Sequence, residues 1–207
     1  LSEYVLIDSS TRKNLELVET LREKNKYGSL LWAIDKTKTN MGARLLRNRI
    51  CQPLKDVNDI LKRQNFVSEF VEKQDVRFNV MSVLEQIYDI QRLSTRLSNT
   101  SASPRDYLSL KQSLQALPSL IEACSPLENN PLDKVLNYNE EIAEFADIIE
   151  RTISEDAPVT LKEGGIIKNG VSSELDYFRD LLTGGENWLK SYEEKERENT
   201  NKNKNRP

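Results

Sequence analysis

Along most of this chain apolar residues recur at spacings of three and four, in runs cut to length by residues that start or stop helices. A repeat near 3.6 places side chains on one face of a helix and fits no other regular structure. The pattern therefore predicts an all-α, multi-helix fold. Tyr4–Asp8 is a short strand-like run, and Ser9, Ser10 and Thr11 after it each offer a capping hydroxyl. A helix carrying Leu15, Val18 and Leu21 is expected next, broken by Arg22–Gly28. Ser29–Ile34 reads as a short apolar helical turn. Thr39 or Asn40 caps a helix bearing Met41, Leu45, Leu46 and Ile50, which Pro53 ends. Helices are predicted at about 56–72 (Val57, Ile60, Leu61, Val67, Phe70, Val71) and about 78–98 (Val80, Leu84, Ile87, Leu93, Leu97), with a polar loop at 99–103.

The sharpest local signal is Ser103-Pro104-Arg105-Asp106. A serine cap, a proline at the first helical position and a carboxylate at the third satisfy amides that a helix start leaves open. The stripe Tyr107, Leu110, Leu114, Leu117 and Ile121 behind it needs a partner helix. Pro126 and Asn129-Asn130-Pro131 mark a turn, and Val135, Ile142, Phe145, Ile149 and Ile153 give a helix at about 132–154. Near 158–170, Val159-Thr160-Leu161 and Ile166-Ile167 lie among glycines, as in a small hairpin or an irregular excursion. A long last helix from about 173 to 198 carries Leu175, Phe178, Leu182, Leu189 and Tyr192 on one stripe. Gly184 and Gly185 interrupt it, each costing about 1 kcal/mol relative to alanine. That implies either a kink or a close helix contact. Beyond Tyr192 the residues are charged, then polar, and have nothing to bury.

The chemistry open to the chain is narrow. None of the 207 residues is histidine, which removes the usual base near neutral pH and the usual imidazole ligand. Cys51 and Cys124 are too few for a thiolate zinc site and are expected to be reduced thiols. A phosphate loop of the Gly-x-x-x-x-Gly-Lys-Ser/Thr type is absent, and Gly164, Gly165 and Gly170 have the wrong spacing for one. Acid pairs such as Glu140-Glu141 are what 33 acidic residues on helices supply by chance. No catalytic, cofactor or metal residue is assigned, and the chain itself is not read as an enzyme. The apolar runs fall short of the roughly 20 residues that span a bilayer, and the N-terminus lacks a signal-peptide pattern.

One stretch departs from the net charge of -3. Residues 22–49 hold eight basic and two acidic residues, a surplus of six positive charges that leaves -9 for the remainder. Lys36, Lys38, Arg44 and Arg47 are candidates for contact with DNA phosphates or with another domain. Alternatively, the arginines pair with acids on neighbouring helices.

Several blocks, taken in order, resemble the core, or lever, domain of the MutS family of bacterial DNA mismatch-recognition proteins. They are Leu6–Leu17, Gly28–Asp35, Thr37–Leu46, Gln52-Pro53-Leu54, Arg92–Leu97, Ser103–Asp106 with Leu117-Pro118, Gly164–Gly170 with Glu174-Leu175-Asp176, and Glu194–Glu198. The resemblance covers nearly the whole chain. It implies a helical body at 1–172, an ascending lever helix at 173–200 and a truncated polar tail at 201–207, without the family's clamp, mismatch-binding and ATPase domains. It further implies a structural role linking mismatch binding and DNA clamping to a distant ATPase domain. Mismatched double-stranded DNA, the other domains, a homodimer partner and a downstream mismatch repair protein would be met through the longer parent. ATP and magnesium would be used elsewhere in it, in the bacterial cytoplasm on DNA and away from membranes. Leu110, Leu114 and Leu117 are expected to hold the body together, and Leu175, Phe178, Leu182 and Leu189 to anchor the lever. The competing readings are a nonspecific DNA-phosphate module at 22–49 and a protein-docking scaffold. The family reads mismatches with a Phe-x-Glu motif, but Phe70-Val71-Glu72 lies on a helical stripe outside the domain that bears it. Phe70 is assigned to packing.

Overall fold

Side-chain caps set where most of the helices begin. In a computed structural model, which describes residues 3–128, 130, 132 and 139–204, ten α-helices follow one another. They are α1 (Ser9–Asn14), α2 (Leu30–Ile34), α3 (Asn40–Cys51), α4 (Val57–Glu72), α5 (Gln74–Leu84), α6 (Ile90–Ser98), α7 (Pro104–Gln115), α8 (Leu117–Cys124), α9 (Asn139–Thr152) and α10 (Ser173–Lys204). The Ser29 hydroxyl accepts the Trp32 amide at 3.2 Å, and the Thr39 hydroxyl accepts that of Gly42 at 3.0 Å. Asp56 and Asp89 do the same for α4 and α6. At α7 the Ser103–Asp106 capping box is complete in both directions.

Four expectations need correction. The cap of α1 is Asp8, whose carboxylate accepts the Thr11 amide at 2.6 Å, so the hydroxyls lie inside the helix. That helix stops at Asn14, because Glu16 takes a left-handed φ of 47° and its carboxylate accepts the Leu21 amide at 2.7 Å. Leu17 is buried instead, and Leu15 and Leu21 are exposed. The helix expected at 78–98 is two, α5 and α6, because the Tyr88 amide is held by Ser113 and Asp89 restarts the chain. The stripe 107–121 is also split. Pro118 has no amide for the carbonyl one turn back, so α7 ends and α8 turns onto a different partner.

Among the described residues two small cores result. Val80, Ile87, Ala116, Leu120, Cys124 and Leu127 form one, where α5 meets α8, with Leu117 and Phe70 packed at its edge. Leu93, Leu110, Ile149, Ile153 and Ala157 form the other, where α7 meets α6 and α9, with Leu114 at its edge. Ile90 touches both. Phe70 also meets Phe66 edge to face, which accords with a packing role.

The extended start of the chain pairs with the segment after α3 through a single antiparallel bridge, Tyr4–Leu54. The excursion after α9 is irregular, not a hairpin. It makes one 3₁₀ turn at Leu161–Glu163 and reverses through Gly164 and Gly165, both at positive φ. It then returns beside the end of α9, where the Ser154 amide donates to Ile166 at 2.7 Å and the Lys168 amide to Thr152 at 2.9 Å. The expected start of the preceding helix, before residue 139, lies mostly outside the described residues.

Helix α10 runs unbroken through Gly184 and Gly185 to Lys204, so four residues of the expected polar tail are helical. Residues 205–207 lie outside the described set. A Cβ added at either glycine meets nothing within 4 Å, so among the described residues neither marks a close helix contact.

Candidate interdomain and phosphate-contact surface

The basic segment 22–49 spans the loop before α2, α2 itself and most of α3, and much of its charge is already committed. Arg44 on α3 grips the Asp89 carboxylate with both terminal nitrogens, at 2.5 and 2.9 Å, and also reaches the Gln91 side-chain oxygen at 3.0 Å. This fork holds Asp89 down to about 2 and raises the Arg44 guanidinium. Lys38 pairs with Glu85 at 2.5 Å. Lys26 pairs with Asp35 at 2.5 Å, and that bond, with help from Thr37, keeps Asp35 at about 2. Glu85 and Asp89 lie outside the segment, so its six surplus charges fall by two.

Lys36 and Arg47 are exposed and have no ion-pair partner among the described residues. Arg49 is also unpaired among them; partial burial, and then the charge of Arg63, make its guanidinium proton easier to lose. Arg47 lines a recess between α1 and α3 together with Arg12 and Lys13. Of the four candidate cations, then, Lys38 and Arg44 brace α3 against the α5–α6 turn, and Lys36 and Arg47 stay free.

Ser113 was not singled out from sequence, yet it holds that brace in place. It is fully buried on α7, where its hydroxyl donates to the Ser109 carbonyl at 2.8 Å and accepts the Tyr88 amide at 2.9 Å. The next residue, Asp89, takes Arg44, so one ladder runs from α7 through the turn to α3. Its only sequence signal is a small polar residue three positions after Leu110 on the buried face of the helix.

The structural leucines divide. Leu110 is buried, and Leu114 and Leu117 are half-buried at the edges of the two cores. On α10, Leu175 is half-buried, whereas Phe178, Leu182 and Leu189 are 52%, 72% and 57% exposed. The helix is tied at its foot by polar groups instead. Arg179 donates to the Asn169 side chain at 2.8 Å and to the Ile167 carbonyl at 2.9 Å. The Gly170 amide donates to the Asp176 carboxylate at 2.8 Å. The returning segment is fixed to α9 by Glu150, which takes Lys111 at 2.5 Å and Lys168 at 3.4 Å and is lowered by both, chiefly by Lys111.

Among the described residues no group of three or more cysteine or acidic side chains is placed to hold a metal ion, and no helix is long and apolar enough to cross a membrane. Cys51 and Cys124 are free thiols.

Residues 10–201 match the family model for MutS domain III. Over 199 residues the chain is 44% identical to the DNA mismatch repair protein MutS of Acetivibrio thermocellus, covering 95% of this chain and 23% of that protein. It is 43% identical to the protein of that name from Lachnoclostridium phytofermentans, covering 95% and 21%, and 42% identical to that of Prochlorococcus marinus, covering 93% and 22%. The chain thus spans less than a quarter of the length of these curated relatives. An all-α architecture, a match across most of its residues and close identity to several proteins of one name agree: the chain belongs to the MutS domain III family.

Proposed function

We propose that this chain is the connecting body and lever of a longer DNA mismatch repair protein, passing displacement between the parts that hold DNA and the part that hydrolyses ATP. Residues 1–172 act as the body and 173–200 as the lever. Mismatched duplex DNA, a second copy of the longer protein and a downstream repair protein are met through that protein, in the bacterial cytoplasm. ATP and magnesium act elsewhere in it. The chain has no phosphate loop, and its described residues include no carboxylate cluster suited to a metal.

The observation that carries this reading is the attachment of α10. A helix of 32 residues, about 48 Å at 1.5 Å per residue, is fixed at its foot by Arg179 and Asp176 and left exposed along its described length beyond them. A rod held at one end turns a small movement of the body into a larger one at its tip. Its free stripe of Phe178, Leu182 and Leu189 suits a second helix of the longer protein, and there these side chains would anchor the lever.

Direct phosphate contact by the 22–49 segment is the weaker reading, because Lys38 and Arg44 already have partners. The test is Arg179→Ala in the longer protein. We expect mismatch binding to persist while its effect on ATP turnover is lost. Coupling that stays at the wild-type level would overturn the proposal.

A further inference from the structure

Helix α1, the loop after it and α3 line an open recess of about 260 Å³ in which cations outnumber carboxylates. Arg12, Lys13 and Arg47 reach it, with the Asn48 amide and the Cys51 thiol, against a single lining carboxylate, Glu19. Arg12 is steadied by the bond from its Nε to the Ile7 carbonyl at 3.0 Å, which leaves its terminal nitrogens available. Lys13 and Arg47 have no ion-pair partner among the described residues, in contrast to Lys26, Lys38 and Arg44. The fold therefore pairs Lys26, Lys38 and Arg44 elsewhere in the basic segment and brings Arg12, Lys13 and Arg47 together here, with Glu19 in the lining and Asp8 near Arg12 as the opposing carboxylates. A second recess of about 200 Å³ shares Lys13 and Glu19 with the first and adds Lys24 and Thr20, whose hydroxyl is buried and unpartnered among the described residues.

Clustered like charges repel one another until an anion enters, and arginine forks favour a planar carboxylate. A recess of this size admits a side chain. Duplex DNA is too wide to enter a recess of about 260 Å³ and would touch only its rim, whereas one carboxylate side chain fits inside. We propose that the α1–α3 pocket receives a carboxylate side chain from another part of the longer protein, docking that part onto the body. This rests on the reading of the chain as a connecting body and names one of its contacts.

Cys51 serves as the reporter. It is half-buried in the pocket wall, whereas Cys124 is buried and its thiol is pushed up by that burial, so alkylation is selective. The experiment measures the rate of Cys51 alkylation by iodoacetamide in this chain, with hexaglutamate as probe and hexalysine, sodium sulfate and a DNA duplex as controls. At ten times its Kd, hexaglutamate should slow alkylation about tenfold. Arg47→Gln and Lys13→Gln, both on exposed side chains, should remove the protection without changing the melting temperature. Asn48→Asp, which places a further carboxylate in the pocket, should remove it independently. Absence of protection by millimolar hexaglutamate overturns the proposal. Equal protection by duplex or by sulfate at matched charge overturns it too, since the pocket would then take any polyanion or a free oxyanion. The readout uses this chain alone and Arg179→Ala is read in the longer protein, so either result can fail while the other stands.

Discussion

Arg44 and Asp89 lie 45 residues apart and meet in a two-nitrogen fork. With Asp89 held near 2, well below an unfolded carboxylate near 4, the ion pair contributes stability that is fully present above about pH 4 and is lost as pH falls toward 2. Asp89→Asn tests this cleanly, because asparagine still caps α6 while the charge is gone. The gap in melting temperature between wild type and variant should be widest above pH 4 and shrink toward pH 2. A gap that does not change with pH would mean that the pair acts through shape alone. Apolar residues separate by burial. Leu110→Ala, at 3% exposure, should cost about 2–5 kcal/mol in urea unfolding. Leu189→Ala, at 57% exposure, should stay within about 0.5 kcal/mol in this chain. A large loss at Leu189 would mean that the stripe is already covered.

At the scale of the helices, caps and breaks govern the architecture. Ser103→Ala removes the hydroxyl half of the α7 capping box and should cost about 1 kcal/mol, read as a lower urea midpoint. Gly184 and Gly185 invite the opposite change. Both lie in continuous helix with open space around them, so alanine at each should stiffen α10 by about 1 kcal/mol, read as slower amide exchange around Trp188. Faster exchange would show that the helix needs the glycines. The difference between two short helices and one long one at 78–98 also belongs to this scale. Apolar periodicity passes straight through Glu85–Asp89, and the break depends on Ser113, which arrives from a helix further along the chain.

For the whole molecule, the test is whether this chain holds DNA by itself. Fluorescence anisotropy with matched and mismatched duplexes at low and moderate salt separates the readings. The connecting-body reading expects no binding at about tens of micromolar, for a chain in which three of the eight basic residues of the 22–49 segment sit in ion pairs among the described residues. Salt-steep binding without mismatch preference would assign phosphate contact to Lys36, Arg47 or the remaining unpaired cations. A clear mismatch preference would reopen the role of Phe70. Among the described residues two small cores leave an apolar stripe on α10 exposed, a surface suited to contacts outside the chain.

The sequence by itself determined the helical class, the capping box at Ser103, the short apolar turn after Ser29, the long last helix and the family. Each is written in local spacing or in residues adjacent along the chain, so no folded partner is needed to read it. Only the tertiary structure decided that Lys38 and Arg44 are braces, that Lys13, Arg12 and Arg47 share one recess, and that Arg179 rather than Phe178 ties α10 to the segment before it. Those outcomes depend on which distant carboxylate, carbonyl or helix arrives beside a given side chain. An exposed cation and a paired one look alike in sequence, because the difference between them is a contact across the fold.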